Sequence, residues 1–415
     1  MAILQVEFYP ELNIKEIEDA DTEMKQNAKK LPEPFFFKPR EHFDLNTIKA
    51  ACDPILKKGI EHVIVLGTGG SIQTLLALKQ YANKQVHPIT SSRPTELKRL
   101  FKIPGLKDNS IVVPVSRGGK TLDVNANLYL FPRYDMLGLS SRGPMNNILK
   151  TMDVKLLEVP DLSGRFAASC TNVALLPAYL AGIDVNTFVD GLEAGYKIFD
   201  DSVPIQTNPA KKFALYLYKL FKNGYRNVFS MPYFSWLKGA VGLWVQELSE
   251  STGKEGLGLL GTYQEAPLCQ HSVLELLLGG SKYHTVPLLW ILEKDPHDIP
   301  LNNTIKHIQD KSAADTVLYQ ANATFEALLT QECPAAMITL EIPTLRNMGL
   351  LISFIQSTIY HLCLLFNVNW ANNPNVLLGK EICNYAMEQD KSMMQMKETR
   401  KKVASEQFKD FWLLE

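Results

Sequence analysis

The first legible pattern in the chain begins at His62, where HVIVL, a short β-branched apolar run, ends in Gly67-Thr68-Gly69-Gly70-Ser71. The next residues, IQTLLALKQYA, space their apolar positions as a helix does, so the segment predicts strand, glycine turn, helix. The same grammar recurs. SIVVPVS (110–116) leads into RGGKTLDVNANLYL, DMLGLS follows at 135–140, and VKLLEVP precedes SGRFAASCTNVALLPAYLAG. Short apolar strands separated by helical segments predict a parallel α/β sheet. A second series starts near Asn208. The helical stretch AKKFALYLYKLFKNG precedes the strand candidate YRNVFSM and the helix SWLKGAVGLWVQELSES, which Gly253 is placed to end. TVPLLWIL and AAMITLEI predict further strands, and a helix follows over 346–366. The expected fold class is α/β, with two mainly parallel units and a helical C-terminal segment. The boundaries fall at 1–45 for an N-terminal extension, 46–205 and 206–348 for the two units, and 349–415 for the C-terminal segment.

One stretch calls for a membrane test. Residues 349–379 contain no Lys, Arg, Asp or Glu, but Ser353, Gln356, Ser357, Thr358 and His361 interrupt the apolar run, and a buried helix is the expected reading. With 43 Lys+Arg against 44 Asp+Glu and a net charge of −1, the chain has no general electrostatic footprint for nucleic acid or an anionic membrane. An anionic ligand has to be held locally. Six scattered cysteines, without CxxC or neighbouring histidines at zinc spacing, predict neither a disulfide framework nor a structural metal, and fit a reducing cytoplasm. The N-terminus lacks the basic start and apolar run of a signal peptide.

Glycine turns between strand and helix present backbone N–H groups and a positive dipole end to anions. Two occur here, Gly67 to Ser71 and Ser116-Arg117-Gly118-Gly119-Lys120-Thr121. A dinucleotide fingerprint in the first fails because Ile72 stands at the third glycine position and no acid lies between Glu61 and Glu96 to hold a ribose. A nucleotide P-loop in the second fails because Pro114 stands where GxxxxGKT needs glycine. What remains is a cradle of hydroxyl, amide and Lys groups suited to a phosphomonoester, with Ser71, Ser116, Lys120 and Thr121 as donors.

Taken in order, LGTGGS (66–71), VSRGGKT (115–121), SGRFAASCTNVALLPAYLAGID (163–184), ESTGK (250–254), QHS (270–272) and PNVLLGK (374–380) resemble the glucose-6-phosphate isomerase family of the sugar isomerase (SIS) superfamily. The family's usual FDQPGVExGK reads here ANNPNVLLGK, with Asn373 for Gln and Leu377 for Glu. The resemblance implies two SIS-type three-layer sandwich units and reversible aldose–ketose isomerisation of glucose 6-phosphate and fructose 6-phosphate through an enediolate, in glycolysis and gluconeogenesis. A non-catalytic sugar-phosphate binder, or an isomerase of another phosphosugar, is the alternative.

Such a reaction needs a proton shuttle between carbons 2 and 1, and Glu250 near a helix end takes that role. The permanent charge of Arg165, beside the small Gly164, suits the enediolate oxygens. His271 and Lys380 serve ring opening. The resemblance further implies phosphate contacts from Ser71, Ser116, Gly118, Lys120 and Thr121, and sugar contacts from Gly70, Gly164 and Asn373. It implies a homodimer in which His271 reaches the neighbouring subunit's site, with no metal, no cofactor, no nucleic-acid partner and no membrane.

Overall fold

The structure, a computed structural model, describes residues 3–280 and 284–388. Among the described residues ten strands form two five-stranded sheets. The first contains β2 (His62–Leu66), β3 (Gln85–Ile89), β4 (Ser110–Pro114), β5 (Asp135–Leu139) and β6 (Lys155–Leu157), in the spatial order β3-β2-β4-β5-β6. Every pairing in it is parallel, with Leu66 opposite Pro114. The second contains β1 (Leu4–Tyr9), β7 (Asn227–Pro232), β8 (Leu260–Tyr263), β9 (Thr285–Leu292) and β10 (Ala335–Leu340), in the order β1-β10-β9-β7-β8. It is parallel except for β1, which runs antiparallel to β10. The expected α/β class with mainly parallel sheets is therefore present. β2, β4, β5, β6, β7, β9 and β10 fall where the apolar runs place them.

Three strands carry weaker signals. β1 lies within the stretch expected to be an extension, yet Leu4 pairs with Leu340 and Tyr9 with Ala335. β3 includes Pro88, and β8 is four residues long with Leu260 exposed. Each lies at a sheet edge or beside one, where one-sided pairing demands little of composition.

The helix Leu345–Phe366 is long and apolar enough to cross a membrane, but its apolar window is buried within the protein. It crosses 348, the expected end of the second unit. Around it pack the helices Ile14–Ala28, Val185–Phe199, Pro209–Lys222 and Lys238–Thr252. Glycines permit the closest crossing. A Cβ at Gly191 would stand 2.0 Å from the Arg346 carbonyl oxygen, and one at Gly349 would stand 2.3 Å from that of Phe188. Asn367, in the left-handed conformation, ends the helix. Residues through Trp370 belong to one compact unit; a second begins at Ala371 and contains the helix Val376–Glu388.

Candidate active site

In the first sheet the chain order reverses between β2 and β4, and in open parallel sheets the crevice at the carboxyl ends of such a pair is the usual ligand site. Both glycine turns leave these two strands. Their roots are in contact: Val115 N–H donates to the Leu66 carbonyl at 2.8 Å, and a Cβ on Gly67 would meet Val115 Cβ at 3.7 Å.

The second turn is braced from within. Ser116 Oγ and Thr121 Oγ1 are hydrogen-bonded at 2.8 Å, and Asn125 Nδ2 donates to the Gly119 carbonyl at 3.0 Å. Gly119 (φ 64°) is required, because a Cβ there would stand 2.3 Å from the Arg142 carbonyl oxygen. Gly118 has no such neighbour within 4 Å, and neither has Gly164, so both leave open space. Lys120 is exposed, Ser116 buried, and Ser71 and Thr121 half-buried. Arg117 and Arg142 share Asp161, at 3.0 and 3.8 Å, which ties the turn to the segment before Gly164.

The first turn opens the helix Gly70–Leu78. Ser71 Oγ donates back to the Thr68 carbonyl at 2.8 Å, and no side chain caps the helix start. Gly70 packs on Arg165, where a Cβ would stand 2.9 Å from Arg165 Cα. The same helix crosses Lys238–Thr252 at Gly239, whose Cβ would stand 2.4 Å from the Leu76 carbonyl oxygen. These two glycine contacts place the turn against both Arg165 and the helix of Glu250.

There the charged groups meet. Arg165 Nη1 donates to Glu250 Oε1 at 3.0 Å, and Gln246 Nε2 donates to Glu250 Oε2 at 3.1 Å. Arg165 Nη2 donates to the Trp370 carbonyl at 2.6 Å. The Arg165 side chain is 4% exposed and that of Glu250 17%, so the pair is desolvated on the arginine side and reachable on the carboxylate side. Lys254 Nζ donates to the carbonyls of Ser251 and Asn369, at 2.6 and 2.5 Å. The adjacent carbonyls of 369 and 370 are thus each held by a buried cation. Burial pushes the Lys254 ammonium down to about 8 and the neighbouring Cys363 thiol up to about 12.

Gln246 and the backbone of 369–370 escape a reading of the sequence, and Lys254, though within ESTGK, is given no role by it; Gln246 and Lys254 each stand four residues from Glu250. Helical i,i+4 spacing was the available signal for Gln246. His271 is exposed at the start of the helix Gln270–Gly279. The preceding Gln270 is anchored by Tyr233, Thr324 and Gln320. Among the described residues no hydrogen bond or ring contact joins His271 to Arg165 or Glu250. Lys380 is exposed on the helix Val376–Glu388, and Asn373 precedes that helix; both belong to the second unit. Among the described residues no group of three or more His, Cys, Asp or Glu side chains could hold a metal ion.

This arrangement is an α/β crevice flanked by a desolvated arginine–carboxylate pair. Its fold is that of a hypothetical protein of Thermus thermophilus, at TM-score 0.79 and 21% identity over 89% of this chain and 95% of that one. A glucose-6-phosphate isomerase of Chlamydia trachomatis matches at TM-score 0.79 and 16% identity, over 97% and 92%. No family model matches the chain. Over most of its length it has curated homologues named glucose-6-phosphate isomerase. That of Methanocaldococcus jannaschii is 27% identical over 343 residues, covering 78% of this chain and 84% of the relative. That of Mycoplasmopsis pulmonis is 26% identical over 359 residues, covering 78% and 82%.

Proposed function

We propose that the chain is an aldose–ketose isomerase that interconverts glucose 6-phosphate and fructose 6-phosphate through an enediolate, in keeping with relatives named glucose-6-phosphate isomerase, and that it serves glycolysis and gluconeogenesis in the cytoplasm. The observation that carries this reading is the 3.0 Å pair of Arg165 and Glu250 packed against Gly70.

In this scheme Ser71, Ser116, Lys120, Thr121 and the backbone at Gly118 take the phosphate, since hydroxyls and amides at helix starts favour a compact dianion. Gly70, Gly164 and Asn373 leave room for or contact the sugar. Glu250 removes the proton on carbon 2 and returns it to carbon 1. Arg165, which cannot give up its proton at neutral pH, stabilises the negative charge on the enediolate oxygens. His271 and Lys380 open the ring. His271 does so from the neighbouring subunit of a homodimer; its exposure, together with that of Leu268 and Leu276 nearby in sequence, supports a surface that a second copy covers.

The test is turnover by the purified protein, with fructose 6-phosphate formation followed from glucose 6-phosphate and the products identified by NMR. Isomerisation of another phosphosugar alone, such as mannose 6-phosphate, reassigns the substrate; binding without turnover refutes the enzyme.

A further inference from the structure

One helical turn before Glu250 stands a second carboxyl that the isomerisation scheme leaves unused. Glu247 is 2% exposed. Its Oε1 accepts from Gln356 Nε2 at 3.0 Å. Gln356 Oε1 in turn accepts from Tyr196 Oη at 2.6 Å and from Ser169 Oγ at 3.0 Å. Two hydroxyls on one face of the amide leave its N–H group to Glu247, so the chain has a direction. Ser169 lies four residues past Arg165 and also shares its proton with the Phe166 carbonyl, at 2.9 Å. A continuous hydrogen-bonded path therefore runs from the Glu250 helix, through the core helix Leu345–Phe366, to the turn that presents Arg165, with Val185–Phe199 attached through Tyr196.

Resting on the isomerase reading, we propose that Glu247, bonded through Gln356 to Ser169 and Tyr196, is a positioning residue that sets the register of Glu250 against Arg165. Neither Glu247 nor Gln356 touches the reacting atoms in this scheme; they act through the two groups that do. The proposal requires the neutral acid. Glu247 Oε2 is buried without a hydrogen-bond partner, and an ionised carboxylate there would leave an anionic oxygen desolvated and unpaired. Burial raises its pKa to about 8; the Gln356 hydrogen bond and Arg165 oppose the rise, and Glu250 adds to it. The helix Gly70–Leu78 and strands β7 and β8, which pack on the Glu250 helix, carry no Asp, Glu, Lys, Arg or His. On the core helix, Arg346 is exposed at the far end, burial holds His361 well below its usual range, and Cys363 lies at about 12. Tyr196 is pushed well above its usual range. Lys254, at about 8, is the other group that titrates in the same window.

The test compares wild type, E247A, E247Q and Q356L across pH 6–9, with kcat and KM for glucose 6-phosphate. E247A and Q356L should each lower kcat about tenfold at pH 7 with KM within about twofold. The isosteric neutral E247Q should restore most of the loss, and should lack the fall in kcat above about pH 8 that ionisation of Glu247 gives the wild type; K254R keeps that limb. E247Q as damaged as E247A, or a change in KM alone, overturns the proposal.

Two readouts do not depend on turnover. Carbon-13 NMR of glutamate-labelled protein should show a carboxyl that titrates near pH 8 and vanishes in E247Q. A crystal structure of Q356L should show Arg165 Nη1 and Glu250 Oε1 beyond hydrogen-bonding distance. Failure of either overturns the positioning role whatever the activity, while success of both in a protein without turnover removes the isomerase reading alone.

Discussion

The Arg165–Glu250 pair and the Ser116–Thr121 turn are built in opposite ways. Around the pair several contacts hold both side chains. Arg165 is pressed on by Gly70, bonded to Glu250 and bonded to the Trp370 carbonyl, and Glu250 is held on its other oxygen by Gln246. The turn is anchored at its root by Gly119 and by the Ser116–Thr121 hydrogen bond, but it leaves Gly118 facing open space and Lys120 exposed. One region is fixed before any ligand arrives; the other is fixed at its base and open at its face. Proton transfer at carbon depends on placement within a fraction of an ångström, whereas a phosphate dianion is recognised by several donors, each contributing a modest share.

That contrast can be broken at either end. The largest effect is expected for E250Q, which keeps the shape and the hydrogen bond from Arg165, gives up the acceptor that faces Gln246 Nε2 and removes the proposed base: kcat should fall by about 10³-fold, within the range general bases contribute, with phosphosugar binding by calorimetry nearly unchanged. Full activity in E250Q would assign the base elsewhere. Next comes G70A, because a Cβ 2.9 Å from Arg165 Cα forces the arginine turn to move. About 1–3 kcal/mol of stability should be lost in a thermal melt, typical of overpacking, and kcat should fall more than the loss of folded protein explains. S116A tests the turn at its braced root, and should raise KM for glucose 6-phosphate about tenfold with kcat little changed, since one hydrogen bond to a charged group contributes about 1.5–3 kcal/mol.

The remaining effects are on stability alone. G118A, with nothing within 4 Å of its Cβ, should shift unfolding by less than about 0.5 kcal/mol in urea denaturation. The pH dependence of stability carries two opposed contributions from the buried groups beside the pair. Glu247, raised from 4.5 to about 8, binds a proton in the native state that the unfolded chain has lost, so its contribution falls as pH rises from 4.5 to 8. Lys254, lowered from 10.5 to about 8, is neutral in the native state while still charged in the unfolded chain, so its contribution rises from pH 8 to 10.5. E247Q should flatten the first window in urea melts and leave the second; K254M should do the reverse.

Much of the scaffold is legible in the chain itself. HVIVL, SIVVP and TVPLLWIL are continuous apolar runs because strands covered on both faces need no alternation, and β2, β4 and β9 sit on them. The glycine turns are legible because Gly69 and Gly119 adopt positive φ and no other residue type does so as cheaply. β1 was obscure because its pairing partner, β10, stands more than 300 residues away. Likewise, nothing near Glu247 in sequence distinguishes it from an ordinary helical polar residue. The buried character of 349–366 was readable from its missing charges, but not that Gln356 on it bonds Glu247.

The sequence by itself determined the α/β grammar, the two anion-favouring turns and the residue types capable of proton transfer, because strand burial, glycine backbone freedom and side-chain chemistry are properties of short segments. Only the tertiary structure decided that Arg165 and Glu250, 85 positions apart, stand 3.0 Å from each other. It alone decided that Glu247 is buried among hydroxyl and amide partners, and that His271 lies at the surface. Those outcomes depend on which groups share a water-excluded space, and desolvation and long-range pairing leave no periodic trace along the chain.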